Sequence, residues 1–165
     1  MIRASRIALL ASAVGIPLAA LVGGCATMGP PAQAAAPAVS PEGVKVALLG
    51  QTCTQSTEPD WKGANLVEVH VAVGIANPTG APLVVHRDQF RLVGPDGTAV
   101  KTISVGAADP VSVAPGQEPS FELRFMTRGG LRCTTPMELE TRGGVLAGDH
   151  PVTLASLRFL PRNPS

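Results

Sequence analysis

The stretch Leu66–Ala76, which reads LVEVHVAVGIA, decides the fold class of this 165-residue chain. Val or Ile occupies every odd position from 67 to 75, whereas Glu68, His70 and two small residues occupy the even positions. Successive side chains of a β-strand point to opposite faces, so this period of two predicts a half-buried strand. Residues 77–80, Asn-Pro-Thr-Gly, form a strong turn signal that ends the strand.

Similar patterns predict further strands on both sides of this stretch. They are expected at residues 44–49, 83–85, 90–93, 98–105, 120–126 and 137–142, and around Leu157 and Phe159. Gly-Pro-Asp-Gly at 94–97 and Pro-Gly at 115–116 supply turns between them. No window shows the 3.6-residue stripe of an amphipathic helix. About seven short strands therefore predict an all-β fold, an antiparallel sandwich over residues 43–162.

Residues 65–125 resemble a known type of domain. The run VEVHVAVGIANPTGAPLVVHRDQFRLVGPDGTAV, followed by APGQEPSFELRF, is similar to small immunoglobulin-like domains of bacterial lipoproteins. The shared features are a strand ending in Asn, a following strand with an aromatic residue, an Asp-Gly turn, and a Pro-Gly turn before a Phe-rich strand. The resemblance implies an immunoglobulin-like sandwich, and it carries over no catalytic residue.

The first 24 residues read as a signal peptide. Arg3 and Arg6 precede an uncharged, mostly apolar run over residues 7–22. The sequence Leu21-Val22-Gly23-Gly24-Cys25 resembles the lipobox of bacterial lipoproteins, in which an aliphatic and two small residues precede a cysteine. The resemblance implies cleavage before Cys25, a diacylglyceryl thioether on its sulfur, a further acyl chain such as palmitate, and the lipid bilayer as partner.

Two alternatives to lipidation are a retained membrane-spanning anchor and ordinary cleavage without lipid. A span needs about 20 apolar residues, and the run here is shorter and contains Pro17. Ala26, rather than Asp, follows the cysteine, which by resemblance to enterobacterial lipoproteins favours the outer membrane. Residues 25–42 are rich in Pro and Ala and predict an extended, flexible tether between the lipid and the sandwich.

The two remaining cysteines, Cys53 and Cys133, form an even pair. Export would place them in an oxidising compartment, where disulfides persist. We therefore expect them to be bridged, and the alternative is two separate thiols. A redox-active pair is disfavoured because the chain has no Cys-x-x-Cys sequence.

The histidines have no metal-ligand spacing, so the sequence predicts no metal site and no cofactor. A copper-like set is nevertheless an alternative, and its members would be His70, His86 and His150 with Met126 and Met137. A hydrolytic triad could be written with His86, Asp88 and a serine, but no nucleophile elbow is present. We expect no catalytic residue, and an enzyme with an unrecognised site is the other alternative.

One loop stands out as a candidate for interaction. Asp60, Trp61 and Lys62 lie in a polar setting with Pro and Gly, and Trp61 is the only tryptophan. Exposed Trp often anchors interfaces, whereas a lone Trp in a small domain is more often largely buried. The formal charge of +1 and the scarcity of aromatic residues argue against nucleic-acid binding. We therefore expect a non-enzymatic envelope lipoprotein that binds a protein partner or has a structural role.

Overall fold

Alternating apolar residues form strands throughout the parts of the chain that the computed structural model describes, which are residues 36–56, 63–103 and 109–162. The strands are β1 (Ala38–Val39), β2 (Lys45–Gln55), β3 (Leu66–Ala76), β4 (Leu83–Val85), β5 (Phe90–Val93), β6 (Ala99–Lys101), β7 (Val111–Val113), β8 (Ser120–Arg128), β9 (Met137–Thr141), β10 (Val145–Ala147), β11 (His150–Val152) and β12 (Leu157–Phe159). Within these ranges the only helical segment is a 3₁₀ turn at Arg87–Gln89.

The strands form three antiparallel sheets. The first has the order β1-β2-β3-β8, the second β11-β10-β4-β7, and the third β12-β9-β5-β6. The long strands β2, β3 and β8 make the first sheet the largest, and β3 lies at its centre, with Val69 opposite Cys53 on one side and Phe125 on the other. This arrangement is an all-β antiparallel sandwich, which confirms the predicted fold class.

The first and third sheets are hydrogen-bonded to each other at both edges. Beyond β6, Thr102 forms a bridge with Phe125 of β8, and the Ile103 N–H donates to the Arg124 carbonyl at 2.7 Å. At the opposite edge, the Cys53 N–H of β2 donates to the Arg162 carbonyl at 2.8 Å. Because strand edges are otherwise open to pairing with other chains, these contacts satisfy main-chain groups that a plain sandwich leaves exposed.

The inward face of β3 forms the middle of the core. Val67, Val69, Val71, Val73 and Ile75 are all buried, and they belong to one continuous apolar cluster. Residues at the even positions between 66 and 72 remain partly exposed. The period of two read from the sequence is therefore the inside-outside alternation of the strand.

Asn77 is one of two buried polar side chains in the described ranges. Its Nδ2 donates to the carbonyls of Ala81 and Val113, each at 2.9 Å, and its Oδ1 accepts from the Thr79 N–H at 3.0 Å and the Thr79 hydroxyl at 2.6 Å. The amide nitrogen and the amide oxygen of this side chain therefore both have hydrogen-bond partners. Asn77 thereby joins the end of β3 to β7 of the second sheet.

The strand bounds agree with the sequence for some strands and differ for others. β3, β4 and β5 have the predicted bounds, whereas β2 extends six residues beyond the predicted Leu49, to Gln55. β6 ends at Lys101 rather than at 105, and residues 104–108 lie outside the described ranges. The strands β1, β7, β10 and β11 were not predicted, because two or three residues are too short to establish a period.

The folded domain begins before residue 43, within the stretch predicted to be a tether. Ala38 pairs with Val46, and Val39 pairs with Lys45. The Ser40 hydroxyl accepts a hydrogen bond from the Val44 N–H at 3.1 Å and is buried. The boundary prediction was therefore too late, because Pro37 and Pro41 on either side of this short strand gave the stretch the composition of a linker.

Candidate functional site

The outer surface of the domain carries a groove of about 220 Å³ where the first sheet meets the end of the third. We call it the β8 groove, and its lining includes His70, Glu122, Arg124, Arg87, Thr102 and Ile103. His70 and Arg124 lie directly opposite each other on β3 and β8. They point outward because they occupy the even positions of strands whose odd positions face the core.

An ion network centred on Glu68 borders the β8 groove. Nε2 of His70 lies 2.8 Å from Glu68 Oε1, and Nε of Arg124 donates to the same oxygen. The hydrogen bond with His70, followed by that with Arg124, lowers the pKa of Glu68 below its usual value of 4.5. These side chains are between 23% and 45% exposed, so solvent weakens the ion pairs and the network acts mainly to orient the groups.

Arg87 forms the opposite wall of the β8 groove. Its guanidinium carbon lies 5.4 Å from the centre of the Phe121 ring, a cation–π distance. Its backbone N–H donates to Asp109 Oδ1 at 3.1 Å, and its carbonyl accepts the Thr102 hydroxyl at 2.8 Å. Arg87 is thus held to the first sheet by its side chain and to neighbouring segments by its backbone.

The three histidines lie in different places. His70 is in the Glu68 network, His86 is exposed before the 3₁₀ turn with Nδ1 3.8 Å from Asp109 Oδ2, and His150 is exposed on β11. Asp88 lies in that turn, and its carboxylate is near His86 and Asp109. In the described part of the chain, neither His70 nor His86 accepts a hydrogen bond from a hydroxyl or thiol side chain.

The two methionines of the copper-like alternative do not share a surface. Met126 is partly exposed on β8, opposite Glu68. Met137 is 1% exposed and belongs to the core. The alternative is therefore wrong for Met137, because the period of two along β9 directs Met137 and Leu139 inward.

Cys53 and Cys133 form the predicted disulfide, with Cα atoms 5.5 Å apart. Both residues are buried in the core. The bridge fixes the end of β2 to the connection between β8 and β9. The hairpin end begins at the next residue after Gln55, where the Ser56 N–H donates to the Leu66 carbonyl and the Ser56 hydroxyl accepts the Leu66 N–H, each at 2.9 Å.

The other residues singled out in the sequence lie outside the described ranges. These are Cys25 and the loop residues Asp60, Trp61 and Lys62. The loop connects β2 to β3, so its base is the hydrogen-bonded pair Ser56 and Leu66. Among the described residues, no helix has the length and apolar character needed to cross a membrane.

Sequence reasoning did not identify Arg124 or Asp109 as site residues. Arg124 pairs with an acid 56 positions earlier, and Asp109 lies 22 positions after Arg87. The alternation placed Glu68, His70 and Arg124 on polar strand faces. That signal indicates a face, whereas the pairing of the strands is needed to bring the three side chains together.

Comparisons with known proteins identify a shared fold and no family. No protein-family model matches the sequence, and no curated protein matches it. A crystal structure of a candidate lipoprotein from Bacillus subtilis is 14% identical and aligns with a TM-score of 0.55 over 74% of this chain and 38% of its own length. A target of the Northeast Structural Genomics Consortium is 11% identical, with a TM-score of 0.51 over 73% of this chain and 87% of that one.

This chain therefore spans well under half of the Bacillus protein to which it is similar. At these identities the likeness shows the fold alone. The comparisons therefore show an all-β sandwich fold that is also found in a candidate lipoprotein of Bacillus subtilis.

Proposed function

We propose that this protein is a lipid-anchored, non-catalytic binding module of the cell envelope, held to a membrane by acyl chains on Cys25. One observation carries the proposal. Of the three cysteines in the chain, Cys53 and Cys133 are joined in a buried disulfide. The cysteine outside that bridge is the one that ends the lipobox-like sequence Leu21-Val22-Gly23-Gly24-Cys25.

The disulfide also supports export. Structural disulfides form and persist in oxidising compartments and are rare in the cytosol. Cys53 is 0% exposed and Cys133 is 5% exposed, so the bridge is part of the core rather than a surface thiol pair awaiting exchange. A core built around a disulfide fits a chain that crosses a membrane before it folds.

The position of β1 limits how far the domain stands from the membrane. Twelve residues, 26–37, separate Cys25 from Ala38. At the polyproline spacing of about 3.1 Å per residue, this segment reaches at most about 37 Å. The proposed module would therefore act on partners close to the bilayer surface.

The hairpin end between β2 and β3 and the adjacent outer face of β3 and β8 form the proposed contact surface for a protein partner. The disulfide and the Ser56–Leu66 pair give the loop that holds Asp60, Trp61 and Lys62 a fixed base. A fixed base lowers the conformational entropy lost when a loop binds. Trp is also a frequent interface anchor.

The size of the β8 groove supports binding rather than catalysis. Pockets that enclose small substrates measure roughly 300–1,000 Å³, and the groove measures about 220 Å³. Its carboxylate neighbour Glu68 is already engaged by His70 and Arg124, which lowers the pKa of Glu68 and keeps it charged. Such a surface suits a side chain of a partner better than an enclosed reacting molecule.

The experiment for the anchor is metabolic labelling of the native host with an alkyne fatty acid. We expect label on the wild-type protein and none on Cys25→Ala. Cys133→Ala is the matched control, because it removes a cysteine of the Cys53–Cys133 disulfide and should retain the label. An unlabelled wild type, or equal labelling of Cys25→Ala, would overturn the proposed anchor.

The contact surface is tested by a photo-crosslinking amino acid placed at position 61. The control position is Arg158, whose side chain points outward on β12 of the third sheet. We expect a discrete crosslinked protein from position 61 and none from position 158. Equal crosslinking at both positions, or none at position 61, would contradict a specific contact by this loop.

A further inference from the structure

Three metal-ligating side chains meet at one corner of the domain, apart from the proposed lipid anchor. One ligand atom each from His86, Asp88 and Asp109 lies within 4.8 Å of the other two. His86 and Asp88 come from the segment between β4 and β5, and Asp109 lies two residues before β7. The cluster therefore joins two segments that are about twenty residues apart in the sequence.

The Gln89 side chain holds in place the turn that contains two of the ligands. The Gln89 side chain accepts a hydrogen bond from the His86 N–H at 3.1 Å and donates one to the Gly144 carbonyl at 3.3 Å. These two bonds fix the turn that holds His86 and Asp88 against the neighbouring strands. The ligands thus start from a partly organised arrangement.

Asp109 is oriented by a separate contact. Its Oδ1 accepts the Arg87 N–H at 3.1 Å, while its Oδ2 lies 3.8 Å from His86 Nδ1. Two ligands bound at about 2.0–2.2 Å to one tetrahedral ion lie roughly 3.3–3.6 Å apart. A side-chain movement of a few tenths of an ångström would therefore bring His86 Nδ1 and Asp109 Oδ2 to the separation of two ligands on one ion.

We propose that His86, Asp88 and Asp109 bind one divalent transition-metal ion of the zinc type. Imidazole nitrogen combined with carboxylate oxygen suits ions such as Zn²⁺, whereas Mg²⁺ and Ca²⁺ prefer sites made only of oxygen. All three residues are exposed, so water completes the coordination. Three protein ligands with an open position make an exchangeable site rather than a closed structural one.

The ion would connect the two strands that meet beside it. β4 and β7 pair over Leu83–Val85 and Val111–Val113, with Val85 opposite Val111 at the end nearest the cluster. His86 follows β4, and Asp109 precedes β7. Metal bound between them would close this end of the second sheet and stabilise the folded state, because an ion that binds only that state raises its stability.

The test is calorimetric titration of ZnCl₂ into the full-length protein, purified without a histidine tag, kept in detergent and stripped of metal with a chelator. We expect saturable one-to-one binding. His86→Ala should weaken it more than about tenfold, because even second-shell partners of a metal are worth 10- to 100-fold in affinity. Asp109→Asn should also weaken it, while its amide oxygen still accepts the Arg87 N–H.

His150→Ala is the matched control, since His150 is exposed on β11 and lies outside the cluster. The zinc affinity of this variant should equal that of the wild type. Unchanged affinity in His86→Ala, or equal affinity for MgCl₂, would overturn the proposal.

If a substitution disrupts folding, NMR of the wild-type histidines provides the test. Zinc should shift the His86 ring signals first, and a first shift at His70 or His150 would refute the site.

Discussion

Substituting Asn77 tests whether one buried amide holds the end of β3 to the second sheet. In Asn77→Ala, the Val113 carbonyl loses its side-chain donor and the Ala81 carbonyl loses one of two. The Thr79 N–H and hydroxyl both lose Asn77 as acceptor, although the hydroxyl keeps the Ala81 carbonyl. Each intramolecular hydrogen bond contributes about 1 kcal/mol. We count the two bonds to carbonyls fully and the two bonds from half-buried Thr79 together as one. The expected decrease in the free energy of unfolding is then about 3 kcal/mol.

The assay is urea unfolding of the disulfide-bonded protein followed by far-UV circular dichroism. With a denaturant slope of about 1.5 kcal/mol per molar, a loss of about 3 kcal/mol lowers the midpoint by about 2 M. Thr79→Val is the control, because it removes one hydroxyl and should cost about 1 kcal/mol. If Asn77→Ala is no more destabilised than Thr79→Val, the bonds to Ala81 and Val113 do not hold the strands together.

Asn77→Asp distinguishes the donors from the acceptors. It would place a buried carboxylate against the carbonyl oxygens of Ala81 and Val113, where the amide nitrogen now lies. Burial and these carbonyl dipoles raise the pKa of the new acid. The folded state then takes up a proton more readily than the unfolded state, so the stability deficit should be largest near neutral pH and should shrink as the pH falls. A deficit that does not change with pH would contradict this geometry.

Three further predictions concern other parts of the fold. Replacing both Cys53 and Cys133 by Ala should lower the free energy of unfolding by up to about 4.5 kcal/mol, the loop-entropy value for a bridge that spans 80 residues, and unchanged unfolding would contradict a role for the bridge in stability. The free energy of unfolding of Gly130→Ala should be about 1–3 kcal/mol lower than that of Gly129→Ala. Both glycines have positive φ, but only at Gly130 would a Cβ lie 2.7 Å from Thr98 Cγ2. Equal free energies of unfolding would refute this steric reason. Glu68→Gln should be less stable than the wild type above pH 4.5, because hydrogen bonds to His70 and Arg124 lower the pKa of Glu68 from that usual value. The wild type loses this stabilisation as the pH falls through the lowered pKa of Glu68. The urea midpoints of the two proteins should therefore converge in acid.

The fold class followed from the sequence because it depends on local alternation. The period of two in β3 specified both the bounds of the strand and its buried face. The strand β1 did not follow, because it is two residues long and is stabilised by pairing with Val46 and Lys45 rather than by its own pattern. The same holds for β10 and β11, which pair with each other through three residues each.

The surface sites followed from the sequence only in part. Glu68 and His70 lie two positions apart on one strand, so their shared face could be predicted. Arg124 and Asp109 reach their partners through strand pairing and a long connection, and neither the register nor the connection is encoded in a local pattern. The disulfide was predicted from the expected compartment and the number of cysteines, without knowledge of the geometry that brings Cys53 and Cys133 together.

The most direct test of the proposed lipid anchor is the intact mass of the protein recovered from membranes of its native host. We predict a chain that begins at Cys25 and carries acyl chains, with a further gain of two mass units when the Cys53–Cys133 bridge is reduced. Cys25→Ala should lack the acyl mass and retain the gain on reduction. A soluble, unacylated wild-type chain would contradict the anchor and would make this protein a freely diffusing secreted domain.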